Sequence, residues 1–134
     1  MQTMSRPYGV LYTSSLAPAA PASVVPAILA TARIKNKQNG LTGLLVFDGQ
    51  NFCQYLEGPP VLVLERMERI REDERHTGID VACQGETQGR IFDRFSMGYA
   101  EPESGDLVGT IRTLNGPAAL DRLVEMVPML DLDS

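Results

Sequence analysis

An α+β domain of the ferredoxin-like kind follows from three features of this sequence. Two stretches carry apolar residues at helical spacing, and five others have the composition and spacing of strands. An Asp48-Gly49 turn joins two of those strands as a hairpin. Their order, βαββαββ, gives an antiparallel-rich sheet with two helices on one face, followed by a short C-terminal helical extension.

Each element has its own reason. YGVLYTS at 8–14 is rich in strand formers, with Tyr8, Val10 and Tyr12 on one side of the pleat. The Ala/Pro loop that follows leads into a helix with Ser23 as its expected N-cap and Pro26 in the first turn, where backbone N–H groups have no helical partner. Val25, Ile28, Leu29 and Ala32 form its apolar stripe and Gly40 its stop. LTGLLVF and NFCQYLEG flank the Asp-Gly turn as the hairpin strands. VLVLERMERIREDER predicts the second helix, with Val63, Met67 and Ile70 on one stripe. The stretch GIDVACQGETQGRIFDRFSMGYA reads as two further strands with turns at Gly85 and Gly89, which puts Phe95, Met97 and Tyr99 on one face. EPESGD reads as a linker. Asn115-Gly116-Pro117 then opens a short helix with Leu120, Leu123, Val124 and Val127 inward, packed on the far side of the sheet or on a second subunit. The expected division is a domain over 1–100 and an extension over 101–134.

Composition narrows the function classes. The chain has 134 residues, 43% of them hydrophobic, enough for one core-bearing domain. Its net charge of −5 disfavours a generic nucleic-acid surface, which needs clustered positive charge. One histidine and two cysteines without ligand spacing give no metal site, and the thiols fit a reducing, cytoplasmic setting. Pro18, Pro21 and Pro26 break the apolar stretch near the start, so neither a signal peptide nor a membrane span is expected.

One residue resists this bland reading. Gln54 lies between Phe52 and Leu56 on the face expected to meet the core. A buried amide without partners costs roughly 1–3 kcal/mol, so Gln54 needs partners. They could be backbone groups. On the same side, the first helix presents Ile28, Ala32, Lys35 and Asn36 at positions i, i+4, i+7 and i+8. The second presents Arg66, Arg69, Ile70 and Asp73. A planar ligand with apolar faces and polar edges would fit between them. Each residue also has a simpler role: Tyr12 and the two isoleucines as core, Asn36 as a cap, Arg69 and Asp73 as a solvated ion pair, Lys35 and His76 as surface, Met97 as filler.

Five segments in register, YTSSLA at 12–17, NGLTGLL at 39–45, FCQYLEG at 52–58, ERIREDERH at 68–76 and FSMGYA at 95–100, resemble the BLUF domain, a blue-light sensor that uses flavin. The resemblance implies a non-covalently bound flavin, usually FAD, with FMN or riboflavin as alternatives. It implies Tyr12 as electron donor, Gln54 as the amide switching between that phenol and the ring, and Met97 beside it. It assigns Asn36 to the pyrimidine edge, Ile28 and Ile70 to the ring faces, and Lys35, Arg69 and Asp73 to polar contacts around the cofactor. Lys35 stands where many members have asparagine or histidine, and Phe95 where many have tryptophan. A photoreceptor rather than an enzyme is expected, signalling to an effector or within a homo-oligomer. Two other classes compete: a light-insensitive interaction module on this fold, and an acylphosphatase-like hydrolase, disfavoured because no Gly-rich anion loop is paired with an arginine.

Overall fold

The computed structural model describes residues 6–102 and 106–133. Five strands form one sheet in the order β4-β1-β3-β2-β5: β1 (Tyr8–Leu16), β2 (Thr42–Phe47), β3 (Asn51–Gly58), β4 (His76–Glu86) and β5 (Gly98–Ala100). All neighbours are antiparallel except β2 and β5. The β2–β3 hairpin turns at the Asp-Gly pair, where the Asp48 carboxylate accepts the Gln50 and Asn51 N–H groups at 3.0 and 2.7 Å.

Helices α1 (Val25–Asn39) and α2 (Pro60–Glu72) lie on one face. A short 3-10 turn over Ala22–Val24 precedes α1, so Ser23 sits in that turn rather than capping the helix; Pro26 is tolerated in the first turn that follows. Gly40 ends α1 in the left-handed conformation, φ 67°, with its N–H on the Asn36 carbonyl. Val25, Leu29 and Ala32 of α1 and Val63 and Met67 of α2 meet Val10, Tyr12, Leu45, Phe47, Phe52 and Leu56 in the near-face core.

The far face carries a second core. Leu11, Leu44, Val46, Cys53 and Tyr55 are covered there by α3 (Asp106–Arg112) and α4 (Pro117–Met126). β1 and β3 are therefore buried on both sides. The helix α3 begins at the last of the residues read as a linker. Its segment contains Gly109 and three β-branched residues, all poor helix formers, and it is helical because Leu107, Val108 and Ile111 are seated on the sheet. In α4 the buried residues are Ala119 and Leu123, with Leu120 partly buried. Val124, expected inward, is 40% exposed, because the helix is rotated towards Ala119.

The expected pair of strands between residues 78 and 100 is also revised. β4 runs to Glu86, and only 98–100 pair with β2, leaving 87–97 as a loop. A buried carboxylate organises it: Glu57 accepts the Ile91 N–H at 2.8 Å, the Phe92 N–H at 2.6 Å and the Thr42 hydroxyl at 3.1 Å. Those N–H groups are thus committed to a side chain. Phe95 and Met97 consequently do not share a face: Phe95 packs with the far-face core and Met97 with the near-face one. Beneath the far-face helices, the Tyr55 ring extends over Gly9, whose missing Cβ would collide with the hydroxyl.

Replacing Glu57 with alanine strands two N–H groups of the 87–97 loop. Urea denaturation should show a loss of about 2–5 kcal/mol, the usual range for removing a buried charged hydrogen-bonding partner.

Candidate functional site

The β1–β3 register places Tyr12 directly opposite Gln54, and the β2–β3 register places Leu45 on its other side. The three side chains therefore emerge side by side on the near face, under α1 and α2. Tyr12 and Gln54 are 3% and 6% exposed. The phenol donates to the amide oxygen Oε1 of Gln54. The amide nitrogen then points towards the Met97 sulfur, 3.9 Å away. Burial pushes the Tyr12 hydroxyl well above the ordinary phenol range, so it stays protonated and able to donate. The partners sought for the buried amide are thus a phenol and a thioether.

A cavity of about 60 Å³ opens over this pair. Ile28, Thr31 and Ala32 of α1 line one side, and Arg66 and Ile70 of α2 the other. Leu45, Phe52, Tyr12 and Gln54 form the floor, and Asp73, Arg75 and His76 close the end beyond α2. Asp73 accepts a bidentate pair of bonds from Arg75, Nε to Oδ1 at 2.9 Å and Nη2 to Oδ2 at 2.7 Å. Those bonds hold its carboxyl below the usual carboxylate range, and burial opposes them. Burial also lowers Arg66 from the usual guanidinium value.

The expected site residues divide into three groups. Tyr12, Gln54, Ile28, Ile70 and Asp73 line the cavity, and Met97 lies against the Gln54 amide. Asn36 is buried just beyond it; its Nδ2 donates to the Ser96 carbonyl at 2.7 Å, and its Oδ1 has no partner among the described residues. Lys35 and Arg69 lie outside, in a shallower groove with Asn39 and Glu65. Arg66 borders both spaces. The partner of Asp73 is Arg75, two residues on, rather than Arg69 one helical turn back.

Sequence reasoning passed over Arg75 and His76 as site residues. They follow the end of α2 and lead into β4, and the chain's turn into the sheet sets them at the end of the cavity. Burial pushes the Cys53 thiol, on the opposite face, up to about 12, which leaves it an inert core residue.

The cavity's chemistry suits a flat heteroaromatic group: isoleucines on both flanks and a phenol and an amide at the floor, with the orphaned amide oxygen of Asn36 buried beyond the lining.

Known proteins decide the family. The BLUF profile, described as sensors of blue-light using FAD, matches residues 8–98. The chain belongs to the BLUF family. Within it, the blue light- and temperature-regulated antirepressor BluF of Escherichia coli K12 is 33% identical over 88 residues, 66% of this chain and 22% of that protein. The photoactivated adenylate cyclase subunit beta of Euglena gracilis is 38% identical over 66 residues, 49% of this chain and 8% of that one. This chain spans less than a quarter of either relative's length. Among solved structures, the dark state of BlrB, a BLUF protein, superposes with a TM-score of 0.78 at 26% identity, covering 93% of this chain and 97% of that one. The photo-activated state of BlsA has a TM-score of 0.81 over 96% and 99% of the two chains; at 22% identity it bears on the fold alone. Both structural likenesses extend past residue 98. No helix among the described residues is long and apolar enough to cross a membrane.

The depressed Asp73 carboxyl stabilises the fold at pH values above the unfolded value near 4, and that contribution disappears as pH falls through the folded value. Asp73→Asn should therefore melt earlier than the parent at pH 7, by the equivalent of about 0.5–1 kcal/mol for a pair this exposed. The difference should close below about pH 4 in thermal melts across that range.

Proposed function

We propose that this chain is a blue-light photoreceptor that holds a flavin non-covalently between α1 and α2, with Tyr12 and Gln54 as its switch. One observation carries the reading: a buried phenol donates to a buried glutamine amide on the floor of the cavity between the two helices. Such a pair is costly to build into a core and is rearranged at little cost, because an amide has a donor end and an acceptor end.

Excited by blue light, a bound flavin supplies a strong one-electron oxidant. With it bound, Tyr12 would be the electron donor and Gln54 the group that takes up its phenolic proton along their hydrogen bond. Return of electron and proton to Tyr12 would leave the Gln54 amide rotated or tautomerised. In the new state its nitrogen no longer faces Met97 in the same way. Met97 passes that change to the backbone before β5, where its carbonyl accepts from Arg33. Asn36 offers its free amide oxygen to a ring-edge N–H, while Ile28 and Ile70 hold the ring faces. Asp73 and Arg75 supply polar contacts at the far end of the cavity.

Lys35 and Arg69, together with Arg66, suit the phosphorylated tail rather than the ring, because they line the groove outside the cavity. FAD and FMN would use these cations; riboflavin would not. The output is a conformational signal, read by an effector protein or a second copy, and no substrate is turned over. Residues 8–100 form the sensing part, and the extension beyond them covers the sheet face opposite the cavity.

Purified protein should be yellow, with an absorption band that shifts slightly to the red under blue light and returns in the dark. Colourless protein that takes up no added flavin would favour the light-insensitive module instead. Tyr12→Phe and Gln54→Leu should each retain flavin and lose the red-shifted state; a normal photoproduct in both would remove the switch assignment. Exchanging Lys35 and Arg69 for neutral residues should weaken FMN by about tenfold or less relative to riboflavin, as expected for solvent-screened charges, when titrated by fluorescence quenching.

A further inference from the structure

The far-face helix α3 touches the cavity wall through the backbone of β1. Arg112, its last residue, donates from Nη2 to the Ser14 carbonyl at 3.0 Å and to the Ser15 hydroxyl at 3.1 Å, and from Nε to the Thr13 hydroxyl at 3.3 Å. One guanidinium thus holds three successive residues of β1. The strand is irregular here: Thr13 faces Asp80 while Ser15 faces Thr77, so β4 uses an extra residue across from Ser14. Irregularities of this kind re-aim side chains and recur beside functional sites.

Ser14 is fully buried, and its hydroxyl meets the other side of the sheet, 2.9 Å from Nδ1 of His76. Nε2 of His76 lies 2.6 Å from the Ile70 carbonyl. A carbonyl only accepts, so Nε2 carries a proton; in the neutral ring Nδ1 then accepts from Ser14. His76 and Ile70 both line the cavity. A continuous set of hydrogen bonds therefore runs from α3, through β1, to the imidazole and the end of α2.

We infer that Arg112 is a positioning residue for the cavity: by holding residues 13–15 it fixes the Ser14 hydroxyl on His76, and so fixes the tilt of the imidazole in the cavity wall, whose tautomer the Ile70 carbonyl sets. Its effect on photochemistry rests on the flavin reading above; its effect on the imidazole does not. The same bonds tie the seating of α3 to the site, so a signal can cross the sheet without passing through β5.

His76 is the chain's single histidine, so nitrogen-15 labelling of histidine gives one set of imidazole signals. In the full chain, without added flavin, the parent should show one tautomer, protonated at Nε2. Arg112→Ala should keep that tautomer and shift the Nδ1 resonance as the Ser14 hydrogen bond weakens, and Arg112→Lys, with a single donor group on a flexible stem, should shift it less. Ser14→Ala should reproduce the Nδ1 shift with Arg112 still present. In flavin-loaded, illuminated protein, Arg112→Ala should change the rate of dark return by between about twofold and thirtyfold, the span seen for coupling between separated sites. If Arg112→Ala does not fold, the lysine variant decides. An imidazole spectrum in the folded Arg112 variants identical to the parent's overturns the inference. Failure of the parent to bind flavin overturns the proposed function and leaves the imidazole result standing.

Discussion

Everything in this molecule depends on the pairing register of β1 with β3. Tyr12 faces Gln54 because eight consecutive residues of one strand oppose eight of the other without interruption. A slip of one residue in β1 would turn Tyr12 to the opposite face, away from α1 and α2, while Gln54 stayed where it is. The phenol would then lie under α3 and α4, and Leu11 or Thr13 would stand opposite Gln54 on the cavity floor. The functional pair is therefore a property of sheet registration more than of any loop.

That register is well protected because both central strands are buried on both faces. Near-face residues pack under α1 and α2, and far-face residues under α3 and α4. A sheet covered on one side only would leave Leu11, Val46, Cys53 and Tyr55 in water, at roughly 25 cal/mol for each Å² of apolar surface exposed. The helices beyond residue 100 are thus part of what keeps the sensing side assembled. They also place Arg112 where it can hold β1 from behind.

Much of this was legible in the sequence. Period-two alternation in FCQYLEG separated Gln54 from Cys53 and Tyr55, and the Asp-Gly turn fixed the hairpin. Helical spacing in α1 and α2 identified the faces that meet the sheet. Three features were not legible, each for a physical reason. The helix α3 has weak local propensity and owes its form to tertiary contacts. The loop over 87–97 contains residues with strand character, yet Glu57, some thirty-five residues away, takes its backbone donors. The rotation of α4 depends on Ala119, a small residue that carries little weight in an amphipathic pattern. At the site, Arg75 and His76 were visible as letters, but nothing local said which way the chain turns after α2.

The contact between Tyr55 and Gly9 adds a second level of protection. Alternation forbids slips by an odd number of residues but tolerates a slip by two, which keeps every side chain on its face. Here a two-residue slip would bring Pro7 or Leu11 beneath the Tyr55 hydroxyl, where the structure has room only for the hydrogen of a glycine. Tyr55 and Gly9 act as a steric key and keyway, admitting one alignment of β1 out of those that hydrophobicity alone would allow. A chain that misaligns while folding must therefore unzip and try again, instead of settling into a well-packed sheet whose tyrosine and glutamine never meet.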